Sequence, residues 1–305
     1  KLFAVPSGEV IMTGTGHSAW LSAVSFSPSG AHLATASADN TVKLWSLAEQ
    51  RAVHKLSHAR AVWDAQYHAS GNCIVTAAAD NCARLWDVET GRHLRTYRGH
   101  TGTVCRSRWV STNTEHASMK NGNGMPQLSQ IFVTASADKT LSLWDARAGL
   151  CVQTLVGHRD VVTSVDTLGG AIVSSDASGV VKVWDLIANT ERVSIDVGRG
   201  QAINTVAFDP SGTCFIAGGD TGRADVYSIM GKNELSHSNT APSLTNVASD
   251  KAKSFYYGLL PEYGAEVELF TEFQTQDSKC INDIVIGRGL ALGATGEGSV
   301  LVWEM

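Results

Sequence analysis

The sequence predicts an all-β chain built as a β-propeller, on three observations. A strand signature ending in Trp returns at Trp45 (TVKLWS), Trp86 (CARLWD), Trp144 (LSLWDA) and Trp184 (VKVWDL), a recurrence of the 40-to-45-residue kind that marks repeated four-stranded blades. A His opens each copy, at His17, His58, His100 and His158, in three of the four cases directly after a Gly. Thr and Asp keep a fixed spacing in between: Thr35 and Asp39, Thr76 and Asp80, Thr134 and Asp138, with Asp four after Thr and Trp six after Asp.

Each copy reads as four short antiparallel strands, a to d. Period-2 runs such as SAVSF (22–26) and HLATAS (32–37) are bounded by turn signals. SPSG (27–30) and DPSG (209–212) supply those turns, Pro setting φ and Gly taking positive φ. The His-to-Trp interval is 28, 28, 44 and 26 residues, so the third copy carries an insertion. These features define a WD-repeat β-propeller. Extending the register gives seven strand-c slots, at Phe3, Trp45, Trp86, Trp144, Trp184, Tyr227 and Trp303. Seven blades with the first incomplete at the N-terminus are therefore expected, since the repeat arithmetic needs roughly 340 residues. The alternative is a closed six-bladed ring in which Val10 to Thr13 pairs on the strand of Trp303.

The repeated polar residues form structural tetrads: His17, Thr35, Asp39 and Trp45; His58, Thr76, Asp80 and Trp86; His100, Thr134, Asp138 and Trp144. In each, the carboxylate accepts from the imidazole, the imidazole bonds the hydroxyl, and the hydroxyl accepts from the indole N–H. His158, Ser174 and Trp184 make a partial tetrad, with Ser178 in the Asp slot. The Tyr227 blade has Ala217 and Thr221 in the Thr and Asp slots, and the Trp303 blade has Gly293 and Glu297. These later blades are expected to lack the chain and to be softer by roughly 1–3 kcal/mol. A hydrolytic triad is needed once, with an exposed hydroxyl. A set repeated at identical spacing reads as structure, so no catalytic residue, cofactor or metal is assigned.

Composition fits one soluble domain, 1–305: 29 Gly, 43% hydrophobic and 17% charged residues, against about 25% charged in an average domain. A net charge of -5 gives no footprint for nucleic acid. No apolar run reaches the length that spans a bilayer. The six cysteines, Cys73, Cys82, Cys105, Cys151, Cys214 and Cys280, show no metal spacing and read as reduced thiols inside strands of a cytoplasmic protein. GATGEG (293–298) is followed by a strand, so it reads as a turn between strands b and c, not as a phosphate loop.

Two insertions interrupt the pattern. Residues 111–130 are polar and rich in Gly and Asn, a flexible excursion or a binding loop. Residues 231–265 end in SFYYGLLPEYG (254–264), whose aromatics suit either docking or folding back onto the propeller. They fall in an ab and a cd turn, hence on one face. The opposite face is the candidate for partner binding. It carries Ala38, Ala79, Ala137 and Ala177 before the blade-turn slots, with Trp20, Arg60, Trp63 and Asp160 leading into the strands a. Trp and Arg are frequent hot spots.

VPSGEVIMTGTGH (5–17), RAVWDAQYHASGN (60–72), SADKTLSLWDARAGLC (136–151), SSDASGVVKVWD (174–185) and VSIDVG (193–198) resemble the propeller of the sperm-associated antigen sixteen family, the WD-repeat proteins of the ciliary central apparatus whose algal relative is named for paralysed flagella. The resemblance covers about residues 1–230, fails in the insertions and weakens in the last blade. It implies a non-enzymatic protein–protein interaction scaffold in the axoneme of cilia or flagella, within the cytoskeleton, with central-apparatus proteins as partners. The net charge does not support direct tubulin binding. The alternative is a substrate-recognition or signalling adaptor of the ubiquitin ligase receptor type, which would need converging arginines among Arg60, Arg106, Arg108, Arg159 and Arg199.

Overall fold

The structure, a computed structural model, describes residues 1–4, 7, 9–110, 130–186, 188–229, 268–274, 280–287, 290–296 and 299–304. Both sequence insertions, 111–130 except for Gln130 and 231–265, lie outside the described residues, as does Glu297. The chain divides into two compact units, one of Lys1–Trp109 with Gln130–Leu155 and one built on Val156–Met305.

In the first unit, β1 (Leu2–Phe3) pairs with β2 (Val10–Met12) in a two-stranded sheet. This is the pairing of the seven-slot register and not that of the six-bladed alternative. Three four-stranded antiparallel sheets follow: β3 (Leu21–Phe26) to β6 (Arg51–Ser57), β7 (Val62–Tyr67) to β10 (His93–Arg98), and β11 (Val104–Trp109) to β14 (Leu150–Val156), each in order a-b-c-d. In the second unit, β15 (Val162–Leu168) to β18 (Thr190–Asp196) and β19 (Ile203–Phe208) to β22 (Glu268–Gln274) repeat the pattern. β23 (Ile281–Gly287), β24 (Leu290–Thr295) and β25 (Val300–Glu304) make a three-stranded sheet. All seven predicted slots lie on strands c, and the two insertions join β11 to β12 (Ile131–Ser136) and β21 (Arg223–Ser228) to β22.

The local chemistry explains the repetition. Gly30 and Gly212 sit at φ 70° and 75°, the left-handed region that glycine enters without a Cβ penalty. The b-to-c turns need the same conformation one residue after the Asp slot, and Asn40, Asn81 and Lys139 take it at φ 66°, 65° and 71°. Asn tolerates it by bonding locally; at Lys139 the turn is closed by its N–H donating to Ser136 O at 3.2 Å. Every strand a carries a β-bulge at its second residue, between Leu21 and Ala23, Val62 and Asp64, Val104 and Arg106, Val162 and Ser164, Ile203 and Thr205, and Ile281 and Asp283. A bulge leaves its extra residue unpaired and free to turn elsewhere. Ser22 uses that freedom to donate to Val62 O at 2.6 Å, Thr163 donates to Ile203 O, and Asn204 donates to Ile281 O at 3.2 Å. The bulge thus ties successive innermost strands together.

The cores lie between facing sheets. In the first unit Leu44, Leu56, Ala65, Ile74 and Trp86 form one cluster, and Val75, Tyr97, Phe132 and Trp144 form the next. In the second, Val181, Val206 and Phe215 pack together, as do Ile216, Val226 and Ile284. Leu21, Val24 and Phe26 on β3 are more than half exposed, whereas Val62, Ala65 and Tyr67 in the same positions of β7 are buried. Among the described residues the sheet that precedes β3 holds two strands, β1 and β2, whereas β7 packs against the four-stranded sheet of β3–β6.

A buried ionic link joins two sheets of the first unit. Asp64, fully buried on β7, accepts from Ser107 N at 2.8 Å and from Arg108 Nη1 at 3.0 Å on β11, with Arg106 Nη1 at 4.0 Å. Removing one partner of a buried pair strands the other charge. Asp64→Ala is therefore expected to cost roughly 3–5 kcal/mol, read as a lowered urea midpoint; a loss below about 1 kcal/mol, the range of exposed pairs, would contradict the link.

Candidate functional site

Three sheets hold complete polar chains. His17 Nδ1 lies 2.8 Å from Asp39 Oδ2 and Nε2 lies 2.8 Å from Thr35 Oγ1, to which the Trp45 Nε1–H donates at 2.9 Å. His100, Asp138, Thr134 and Trp144 repeat this at 2.7, 2.8 and 2.8 Å. Because a carboxylate can only accept, the proton sits on Nδ1, and Nε2 accepts from the hydroxyl. The hydroxyl then spends its lone pair on the indole. Thr41 Oγ1 and the Ser18 N–H also donate to Asp39, at 2.6 and 3.1 Å. Burial pushes the Asp39 carboxyl up, but these donors and His17 outweigh it and hold the carboxyl well below its ordinary value.

The third complete chain corrects the expectation of a partial tetrad. His158 Nδ1 meets Asp176 Oδ2 at 2.7 Å, Nε2 meets Ser174 Oγ at 2.7 Å, and Trp184 Nε1–H donates to Ser174 at 2.8 Å. Asp176 ends strand b (Ala171–Asp176), two residues before Ser178, and reaches back into the place that Asp39 fills from the turn. The Ser178 hydroxyl donates to it at 2.7 Å. Burial raises this carboxyl, yet hydrogen bonds from His158, Ser178 and the Val180 N–H bring it down to about 2. The blade of Trp184 therefore does not lack its chain.

The second tetrad is rewired. His58 Nε2 is 2.8 Å from Thr76 Oγ1 and Trp86 Nε1–H donates to Thr76 at 3.0 Å, but Asp80 does not reach His58. Arg84, on the same strand as Trp86, takes Asp80 in a two-point pair at 3.0 and 2.5 Å. A guanidinium fork matches a carboxylate better than one imidazole N–H does. His58 Nδ1–H turns to Leu56 O at 3.3 Å instead, which keeps the tautomer. Burial and the nearby Arg84 charge push His58 down to about 4.

The strand-c aromatics of the last two sheets stack on other rings, Tyr227 on Phe215 across from it on strand b and Trp303 on Phe273 of the neighbouring strand β22. Phe215 lies on Tyr227 at 5.3 Å and 19° between planes, and Phe273 lies on Trp303 at 5.5 Å and 23°. Gly293 leaves room for the Trp303 ring, since a Cβ there would stand 2.4 Å from Cη2. The Gly before His serves the same end: a Cβ on Gly99 or Gly157 would come within 3.0 or 3.1 Å of Trp144 or Trp184. The hydroxyls of Thr76, Thr134 and Ser174 are fully buried and are not placed to attack a substrate.

The candidate binding face has a geometric basis in the b-to-c turns. Ala38 N donates to Trp20 O at 3.0 Å, Ala79 N to Ala61 O at 2.8 Å, Ala137 N to Thr103 O at 2.8 Å, and Ala177 N to Val161 O at 2.9 Å. Each turn is thereby clamped to the residue leading into strand a. Gly296 N makes the same bond to Cys280 O at 3.1 Å, as a b-to-c turn does. In the first unit Trp20, 57% exposed, rests on Trp63 at 5.3 Å. Trp63 occupies the bulge of β7, and its Nε1–H is buried without a partner. Arg60, three residues before Trp63 in the lead-in to β7, is exposed. In the second unit the Asp160 carboxylate caps the Val161 N–H at 2.8 Å, next to Ala177. Arg106 and Arg108 both face Asp64. Five of the cysteines lie in strands and Cys280 just precedes β23; burial pushes the Cys73 and Cys105 thiols up to about 11.

Repeated four-stranded sheets and Trp-anchored polar chains define a WD-repeat propeller protein. The family model "WD domain, G-beta repeat" matches residues 8–46, 50–87, 91–145, 149–185 and 193–228, more than half of the sequence, and the chain belongs to this family. It is similar to the nuclear distribution protein PAC1 of Arthroderma otae, 30% identical over 205 residues that make up 64% of this chain and 42% of that protein. It is likewise similar to the nuclear distribution protein PAC1-2 of Uncinocarpus reesii, 33% identical over 204 residues, with 64% and 42% covered. The chain thus spans about two fifths of the length of these curated relatives.

Acid should weaken the fold in two windows. His58 falls from 6.5 to about 4 on folding, so the unfolded chain binds its proton first and stability drops from pH 7 towards 4, by roughly 3 kcal/mol in all. Asp176 falls from 3.8 to about 2, so a further loss of roughly 2 kcal/mol follows below pH 4. Urea midpoints measured at pH 7, 5, 4 and 3 should show both, and Asp176→Asn should shrink only the lower one, to which Asp39 and Asp138 also contribute. A wild-type midpoint constant from pH 7 to 4 would contradict the His58 assignment.

Proposed function

We propose that the chain is a non-enzymatic protein–protein interaction scaffold that acts in the axonemal central apparatus of motile cilia or flagella. The observation that carries the scaffold reading is the division of labour among its residues. Every repeated group with catalytic chemistry is consumed inside a sheet, while Trp20, Trp63 and Arg60, residue types that dominate binding hot spots, stand on the b-to-c turn face of the first unit. Membership of the WD-repeat family supports partner binding. The axonemal setting is supported by the resemblance of loops and outer strands to the sperm-associated antigen sixteen family. Partners in this reading are other central-apparatus proteins, the site is cytoskeletal, and one propeller of residues 1–305 presents the surfaces.

A second setting is favoured by the relatives at 30–33% identity, which bear the name nuclear distribution protein. In that reading the same face serves nuclear distribution. The ubiquitin-ligase adaptor reading has less support, because Arg106 and Arg108 are occupied by Asp64.

The tagged chain, expressed in a motile-ciliated cell, separates these settings. Retention in detergent-extracted axonemes, lost in a Trp20→Ser/Arg60→Glu variant of unchanged thermal stability, is the expected outcome. Diffuse cytosolic signal with no axonemal fraction would reject the axonemal reading.

A further inference from the structure

A cleft of about 650 Å³ opens in the first unit between the sheet of β3–β6 and that of β7–β10, among their ab and cd turns. It lies at the opposite end of the strands from the b-to-c turns, beside which Trp20 and Trp63 lie. Its floor is apolar: Leu44 is fully buried, and Val53 and Val88 pack against the same core. Its rim carries Glu49, Asp87 and Glu89, and neither Lys nor Arg lines it.

The carboxylates are not equally committed. Arg51 pairs with Glu49 at 2.5 Å, but both side chains are more than half exposed, where such pairs are worth little. Asp87 accepts from the Thr90 hydroxyl and N–H at 2.6 and 2.7 Å, and these bonds hold its carboxyl below its ordinary value, so it stays ionised. Glu89 uses its backbone, the carbonyl accepting from His54 Nε2 at 2.9 Å and the N–H donating to Asp87, and its side chain is exposed. An apolar floor beneath an anionic rim is complementary to a long aliphatic stem with a cationic head. Lys and Arg side chains have that shape, and Arg in particular favours carboxylates at interfaces.

We propose that this inter-blade cleft docks a basic segment of a partner protein, which inserts an arginine or lysine side chain with its stem over the partly buried Val53 and Val88 and its charge among Glu49, Asp87 and Glu89. The proposal rests on the reading of the chain as an interaction scaffold and adds a second contact surface of opposite chemistry to the Trp20 face. Two surfaces would let one propeller bridge two partners.

The test uses the whole chain and a fluorescein-labelled peptide in which three arginines alternate with Gly-Ser, with a matching glutamate peptide as control. Fluorescence polarisation should show binding of the arginine peptide only, weakened at least tenfold by Glu49→Gln/Glu89→Gln and unchanged by Trp20→Ser/Arg60→Glu. Both rim side chains point to solvent, so circular dichroism and the thermal midpoint should match wild type. Equal affinity of the Glu49→Gln/Glu89→Gln variant, or equal binding of the two peptides, overturns the proposal. Saturation by free spermidine with no peptide binding overturns it too, in favour of a small polyamine. None of these failures touches the Trp20 face, whose loss is read separately in the axonemal retention of the Trp20→Ser/Arg60→Glu variant.

Discussion

The indole N–H of the strand-c Trp is the constraint on which the rest of the fold depends. A large ring buried between two sheets contributes much apolar area, but it brings one donor that water can no longer satisfy. Thr35, Thr76, Thr134 and Ser174 accept that donor, and each then needs an acceptor for its own proton. The imidazole fills that need and passes the demand outward to a carboxylate or a carbonyl. Strands b and c, the turn or strand end that carries the acid, and the lead-in to the sheet are thereby fixed around one buried ring.

The variations show which link is indispensable. The acid can come from the turn, as Asp39 and Asp138 do, or from the end of strand b, as Asp176 does. It can be dispensed with when Arg84 captures Asp80 and Leu56 O serves His58. The hydroxyl beneath the Trp is never exchanged while the His is present. Where it is lost, at Ala217 and Gly293, the strand-c aromatics Tyr227 and Trp303 lie stacked on Phe215 and Phe273.

Much of this was legible in the sequence because spacing encodes it. Trp ten residues after a hydroxyl lies diagonally across strands b and c, two positions along strand c from the residue paired with the hydroxyl, as Trp45 does from Lys43 opposite Thr35, so the Thr-to-Trp bond follows from period and register. The choice between donors competing for one carboxylate does not follow, since Arg84 stands four residues from Asp80 and nothing in the spacing ranks it against His58. Asp176 had a signal, a carboxylate gained two residues before the slot that lost one, but only the geometry of the turn shows that it reaches the same imidazole. Asp64 gave no signal at all, because the residues that justify its burial, Ser107 and Arg108, are more than forty positions away.

With the polar repeats spent inside the sheets, recognition is left to what the sheets do not use: the Trp20 and Trp63 pair clamped by the b-to-c turns, and the acidic cleft among the turns opposite. The account therefore stands or falls on whether the strand-c indoles are internally satisfied. Hydrogen exchange of the Trp Nε1 protons, followed by NMR with single Trp-to-Phe variants for assignment, measures this directly. The indole protons of Trp45, Trp86, Trp144 and Trp184 should be protected by orders of magnitude relative to the exposed Trp20. Exchange of those four as fast as Trp20, in a chain that circular dichroism shows to be folded, would contradict it.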